Sequence, residues 1–283
     1  MTKADKYFKK QAKKILKKGT EQETRAKWED GTRAKTKAIF GTKTRYNLKE
    51  GFPITNFRRQ YLKSAIKEIL WIHQKYSNIV EELGSLKNIW EKWVKNDGTI
   101  GKSYGYQAGK KYKWSDTPEQ MTQIERVLYL LKTDKNNRRL AITFINNEET
   151  IEKSLQECAH TIEFTVIGKT LNAVLYQRSG DFLTASSPGG WKEIQYAALT
   201  MMIAHCSDLE PGEFMHTVVN QHIYDHHEKI IKEILKEKTK EKQPKVFIKP
   251  GATKNFFELT EKDFVVLDYE PNENEGLKIE LAV

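Results

Sequence analysis

Cys158, in Glu157-Cys158-Ala159-His160, and Arg178, in Tyr176-Gln177-Arg178-Ser179-Gly180-Asp181, have the types and spacing for nucleophilic chemistry. A cysteine attacks as its thiolate, and an unperturbed thiol is ionised only to a few per cent at neutral pH, so it needs fixed positive charge close by. Arg178 supplies that charge if the chain brings the two together. Between them, residues 161–175 are rich in Thr, Ile, Val and Phe, nearly alternate in polarity and turn at Gly168-Lys169, which predicts a β-hairpin. Pairing within the hairpin returns Arg178 to the side of Cys158. The plainer alternative is a small buried thiol packed as a hydrophobe. A buried arginine needs an anionic partner, which hydrocarbon cores rarely contain, so the Gln-Arg-Ser-x-Asp pattern favours an anion site.

Other candidates depend on the elements that carry them. Residues 61–75 place Leu62, Ile66, Ile69, Leu70 and Ile72 on a helical stripe. Glu68 lies within the stripe, where a carboxylate is expensive unless it is paired or held for proton chemistry. His222 and Tyr224 alternate on a strand-like 220–224 and so share one face. Trp90 and Trp93 sit on a following helical turn, Asp97-Gly98 marks a turn, and Tyr104 falls in the loop after Gly101. A helix is expected over 120–131. A polar turn at 134–137 then precedes Arg138 and Arg139 and a strand over 140–145; two adjacent arginines on a strand point to opposite faces and serve as edge charges. A polar loop is expected over 25–33, a glycine-rich loop over 182–190, an apolar helix over 194–206 ending near Cys206, and short strands over 264–267 and 277–283. His222, His226 and His227 lack a carboxylate scaffold, so no metal site is expected.

With 283 residues, 38% hydrophobic and 30% charged, the chain can bury a large core and is too apolar to be disordered. One domain is expected over 1–283, with 1–20 appended as a basic, amphipathic N-terminal helix carrying Tyr7, Phe8, Ile15 and Leu16. No run of apolar residues is long enough for a membrane span, and the lysine-rich start lacks an apolar signal core. Two cysteines are too few for a disulfide framework, which fits a cytoplasmic protein. The net charge of +10 attracts anions, either small substrates or nucleic acid. The lysines of 229–245 are interleaved with Glu as on a solvated helix face, and no zinc spacing or RNA-binding motif accompanies them.

Taken together, the blocks resemble the thymidylate synthase family, in family order from about Lys27 to the last residue. The resemblance is carried by Ala65-Ile66-Lys67-Glu68-Ile69-Leu70-Trp71, Ile89-Trp90-Glu91-Lys92-Trp93, Asp97-Gly98-Thr99-Ile100-Gly101 with Tyr104-Gly105, and Arg138-Arg139. It continues through Leu155-Gln156-Glu157-Cys158, Tyr176 to Asp181, Pro188-Gly189-Gly190 with Glu193-Ile194-Gln195-Tyr196, His222 to His227, and Glu280-Leu281-Ala282-Val283.

The resemblance implies an α/β (α+β) three-layer fold whose large mixed β-sheet forms a two-fold dimer interface. It implies reductive methylation of dUMP to dTMP with 5,10-methylenetetrahydrofolate. Cys158 adds to C6 of the pyrimidine, and Glu68 organises water and proton transfers with Tyr104 near the reacting carbon. Arg178, Arg25, Gln177 and Ser179 gather at the nucleotide, with Arg138 and Arg139 reaching its phosphate from the partner of a homodimer. Arg25 fits the early-loop position better than Arg33. His222 and Tyr224 hold the deoxyribose hydroxyl. Trp90, Trp93, Asp181 and the terminal Val283 face the folate.

Three positions depart from the family pattern. Glu157 stands where a proline usually precedes the cysteine. Lys192 occupies the position of the asparagine that reads the pyrimidine edge; lysine only donates, so it matches O4 and leaves N3–H without an acceptor. Val218-Val219-Asn220 replaces a stretch usually built from glycines and an aspartate. A dUMP or dCMP hydroxymethylase, resolving the same intermediate with water, is therefore the close alternative. A non-catalytic binder of nucleotide or RNA is the alternative from another class.

Overall fold

The computed structural model describes residues 1–273 and 279–283. The alternation at 161–175 belongs to two long strands, β4 (Ala159–Ile167) and β5 (Thr170–Asp181), turning at Gly168 with φ 62°. They are part of a six-stranded sheet with β1 (Thr20–Lys27), β2 (Arg33–Asn47), β3 (Ala141–Thr143) and β6 (Glu210–Tyr224), in the order β1-β2-β6-β5-β4-β3. The β5/β6 pair is parallel and the others antiparallel, so the sheet is mixed. The parallel pair needs a crossover, and α5 (Trp191–Cys206) supplies it. All of α5 except Trp191 and His205 is buried, as its nearly unbroken apolar sequence requires.

Against α5 packs α2 (Leu62–His73), whose stripe Leu62, Ile66, Ile69 and Leu70 joins the main core. The short α3 (Tyr104–Gly109) and α4 (Gln123–Thr133) complete that layer. α1 (Lys3–Lys18) buries Phe8, Ala12 and Ile15 in a second cluster with Phe57 and Phe182, and its lysines lie on the outer side. A capping box of Thr2 and Asp5 starts it, and Asp5 Oδ1 also accepts from Asn56 N at 2.8 Å. After β6 follow α6 (His227–Ile234) and a two-stranded sheet of β7 (Lys245–Ile248) and β8 (Phe264–Leu267). No helix among the described residues is long and apolar enough to cross a membrane.

Several expectations shift. Residues 20–27 pair with β2 as a strand, so Arg25 stands on β1 and the polar turn is confined to 29–32. Tyr104 opens a helix instead of lying in a loop. Arg138 and Arg139 are in the turn before β3, which begins only at Ala141; both are exposed, and strand alternation does not apply to them. Trp90 and Trp93 lie on 3-10 turns. The expected strand over 277–283 falls partly outside the described residues, and 279–283 is not a strand.

Candidate active site

The C-terminal end of β5 and the start of α5 open into a cavity of about 970 Å³. Cys158, Arg178, Gln177, Ser179 and Asp181 line it beside Glu68, Trp90, Trp93, Tyr104, Lys192, His222, Tyr224, Arg25 and Val283. The hairpin does what its spacing predicts: Arg178 N donates to Cys158 O at 2.9 Å across β4 and β5. The Arg178 side chain grips the same segment, Nη2 donating to Gln156 O at 2.8 Å and Nε to Glu157 O at 3.2 Å. From the other side, Tyr104 Oη accepts from Cys158 N at 3.0 Å.

Burial pushes the Cys158 thiol up from its ordinary range, while the Arg178 and Lys192 charges pull it down and Glu157 and Asp181 oppose them. Arg178 thus supplies the positive charge expected of it, and desolvation is the larger, opposing effect.

Glu68 is buried, and each of its oxygens has its own indole donor: Trp90 Nε1 at 3.2 Å and Trp191 Nε1 at 2.6 Å. Lys192 Nζ stands 3.9 Å from Glu68 Oε1, donates to Gln195 Oε1 at 3.0 Å and lies 5.4 Å from the centre of the Tyr104 ring. Trp191 was not among the sequence candidates. The only local signal is an aromatic directly before Lys192, because its partner is on α2.

Opposite, Gln177 is fixed at both ends of its amide. Nε2 donates to Ser179 O at 2.7 Å and Ser186 Oγ at 2.5 Å, and Oε1 is 3.0 Å from His216 Nε2. His216 Nδ1 in turn faces Glu193 Oε1 at 3.3 Å. Arg25 lines the cavity from β1, whereas Arg33 lies outside the lining and pairs with Glu23 at 3.6 Å. Neither Arg138 nor Arg139 lines the cavity of its own chain.

His222 Nδ1 stands 2.9 Å from Asn220 Oδ1, and its ring meets Tyr224 edge-on at 5.3 Å between centroids. Burial lowers the His222 pKa and raises that of Tyr224 to about 12. Asp181 caps the turn after β5, accepting from Leu183 N at 3.0 Å and Thr184 Oγ1 at 2.5 Å. Burial works against its carboxylate, but His227, His222 and Thr184 outweigh it and hold Asp181 below the ordinary range. His227 Nδ1 is 3.8 Å from Asp181 Oδ1, an ion-pair separation too long for a hydrogen bond. The chain terminus closes this side: Lys27 N donates to Val283 O at 2.7 Å and Val283 N to Lys27 O at 3.0 Å.

Residues 6–283 match the family model described as thymidylate synthase. The chain belongs to the thymidylate synthase family. Thymidylate synthases of Streptococcus pneumoniae (strain 70585) and Streptococcus gordonii are each 36% identical, with all of both chains covered. Among solved structures, the thermostable thymidylate synthase A from Bacillus subtilis is 31% identical, matches with a TM-score of 0.89 and covers 99% of each chain. The mixed α/β architecture is that of the thymidylate synthase fold.

Proposed function

We propose that the protein is a thymidylate synthase that converts dUMP to dTMP with 5,10-methylenetetrahydrofolate. The observation that carries this reading is one cavity in which a thiol, an arginine bound to the thiol's own segment and a carboxylate held by two indoles face the same space. Arg178, Arg25 and Ser179 bind the phosphate, since a planar guanidinium pairs two anionic oxygens at once. His222 and Tyr224 hold the deoxyribose. Lys192 donates to O4, and Gln177 supports the ring from the fixed amide. Cys158 gives its proton to water and its sulfur bonds C6 as the C5–C6 π bond breaks; the electron pair moves toward O4, where the Lys192 charge favours it. Glu68, with Tyr104 beside it, moves protons at the base through ordered water.

The folate fits the wall formed by Trp90, Trp93, Leu155 and the terminal residues, a flat apolar surface with the Asp181 carboxylate at its edge. When bound, it supplies the one-carbon unit and the hydride. The protein's share is to orient it and exclude water. A homodimer is part of the proposal: Arg138 and Arg139 complete the partner's phosphate site. The outer sheet residues Phe40, Val219, Tyr176 and Ile167, all exposed on one chain, supply the apolar contact.

Tritium release from 5-labelled dUMP, with product mass, tests the reading. Folate-dependent release with dTMP formed is the expected result. A hydroxymethyl product assigns the water-resolved reaction that Lys192 leaves open, turnover of dCMP alone overturns the substrate, and no release with Cys158 intact overturns the enzyme.

A further inference from the structure

A charged pair is buried directly behind the reactive thiol. Glu157 turns its carboxylate away from the cavity, Oε2 meeting Lys153 Nζ at 2.8 Å and Oε1 accepting from Ser103 Oγ at 3.3 Å. The two side chains are 2% and 4% exposed, and Lys153 Nζ also donates to Phe144 O at 3.2 Å. Lys153 is held in turn: it bridges Gly101, whose φ of 68° and contact with the Glu152 carbonyl leave no room for a side chain. Such a pair is an unusual neighbour for a nucleophile. A bare carboxylate one residue away opposes thiolate formation, and a buried carboxylate without a partner is strongly unfavourable.

We propose that Lys153 is a positioning residue for the reaction: its ion pair with Glu157 presses residues 156–158 against Arg178 and Tyr104 and cancels the Glu157 charge at the sulfur. The segment is then clamped from both sides, by Lys153 behind and by the Arg178 and Tyr104 hydrogen bonds in front. This rests on Cys158 being the nucleophile. The charged and titratable groups that act on the sulfur are Arg178 and Asp181 from β5, Lys192 from α5, Tyr104 from α3, Tyr224 from β6 and Glu157 itself. Of these, Glu157 is the one whose own side chain lies outside the cavity lining and is paired with a lysine behind it.

The test is the pH profile of iodoacetamide alkylation at Cys158 in the full, ligand-free protein, located by peptide mass. Lys153→Met leaves Glu157 unpaired and raises the midpoint, slowing alkylation below it about tenfold. Glu157→Gln leaves the ammonium unpaired and lowers the midpoint, and the double variant returns close to the original. A merely structural role would not produce shifts of opposite sign that cancel. An unchanged midpoint in Lys153→Met, or a double variant that keeps the shift, overturns the proposal. If Lys153→Met does not fold, Glu157→Gln decides alone: a lowered midpoint supports the pair's role and an unchanged one overturns it. Protection of Cys158 by dUMP is measured alongside; its absence counts against the thymidylate synthase reading, whereas the midpoints report only on the pair.

Discussion

At Lys192 the resemblance to the family implies a different group reading the base. The Lys192 side chain is nearly buried, with Nζ 3.9 Å from Glu68 Oε1 and donating to Gln195 Oε1 at 3.0 Å. A group that only donates suits a carbonyl at position 4 and is mismatched with an amino group there. Lys192→Met is therefore expected to cost about 1–3 kcal/mol in kcat/KM for dUMP and to lower the dUMP-over-dCMP ratio by the same factor. Steady-state kinetics with both nucleotides measure this, and an unchanged ratio assigns base discrimination to another side chain. Trp191 belongs to the same unit, because its N–H is one of the two donors that keep the buried Glu68 carboxylate satisfied.

At the scale of elements, the cavity is built where β5, β6 and α5 meet, and a terminal segment closes it. Val283 exchanges two backbone hydrogen bonds with Lys27 at the end of β1, which turns the last residue into an extra partner for the sheet edge. Deleting Val283 removes both bonds and is expected to cost roughly 1–3 kcal/mol in kcat/KM for the folate. dUMP affinity, measured by calorimetry, should be unchanged; a matching loss there would place the terminus in the nucleotide site.

What was legible in the sequence follows the same division. The hairpin and the shared face of His222 and Tyr224 rest on period-two alternation, a local property, and both appear as expected. TEQETRAK gives no sign of β1 because its one apolar residue is Ala26: it is an edge strand with no buried position, so no alternation marks it. The Trp191–Glu68 bond and the Lys153–Glu157 pair were illegible for different reasons. The first joins residues far apart in sequence, and the second spans four residues outside any helix, where that spacing carries no meaning.

On the whole molecule, the open face of the sheet and the two arginines before β3 make a single argument. A sheet covered by helices on one side leaves Phe40 at 86% exposure and Val219 at 49% on β2 and β6, an apolar surface that one chain does not bury. Arg138 and Arg139 are exposed and outside their own chain's cavity, so a role at the phosphate requires a second copy. If the arginines act across that interface, two inactive variants rescue each other. Cys158→Ser and Arg139→Ala homodimers, dissociated in mild denaturant and allowed to reassociate, form mixed dimers in which one of the two sites is intact. Activity is expected to recover to about a quarter of the original, because half of the dimers are mixed and each has one working site. Recovery that is absent although mass spectrometry detects mixed dimers confines both residues to their own subunit. Phe40→Glu provides the complementary control: a charge on this exposed apolar face should yield monomers by sedimentation, with the nucleotide site left short of its borrowed cations.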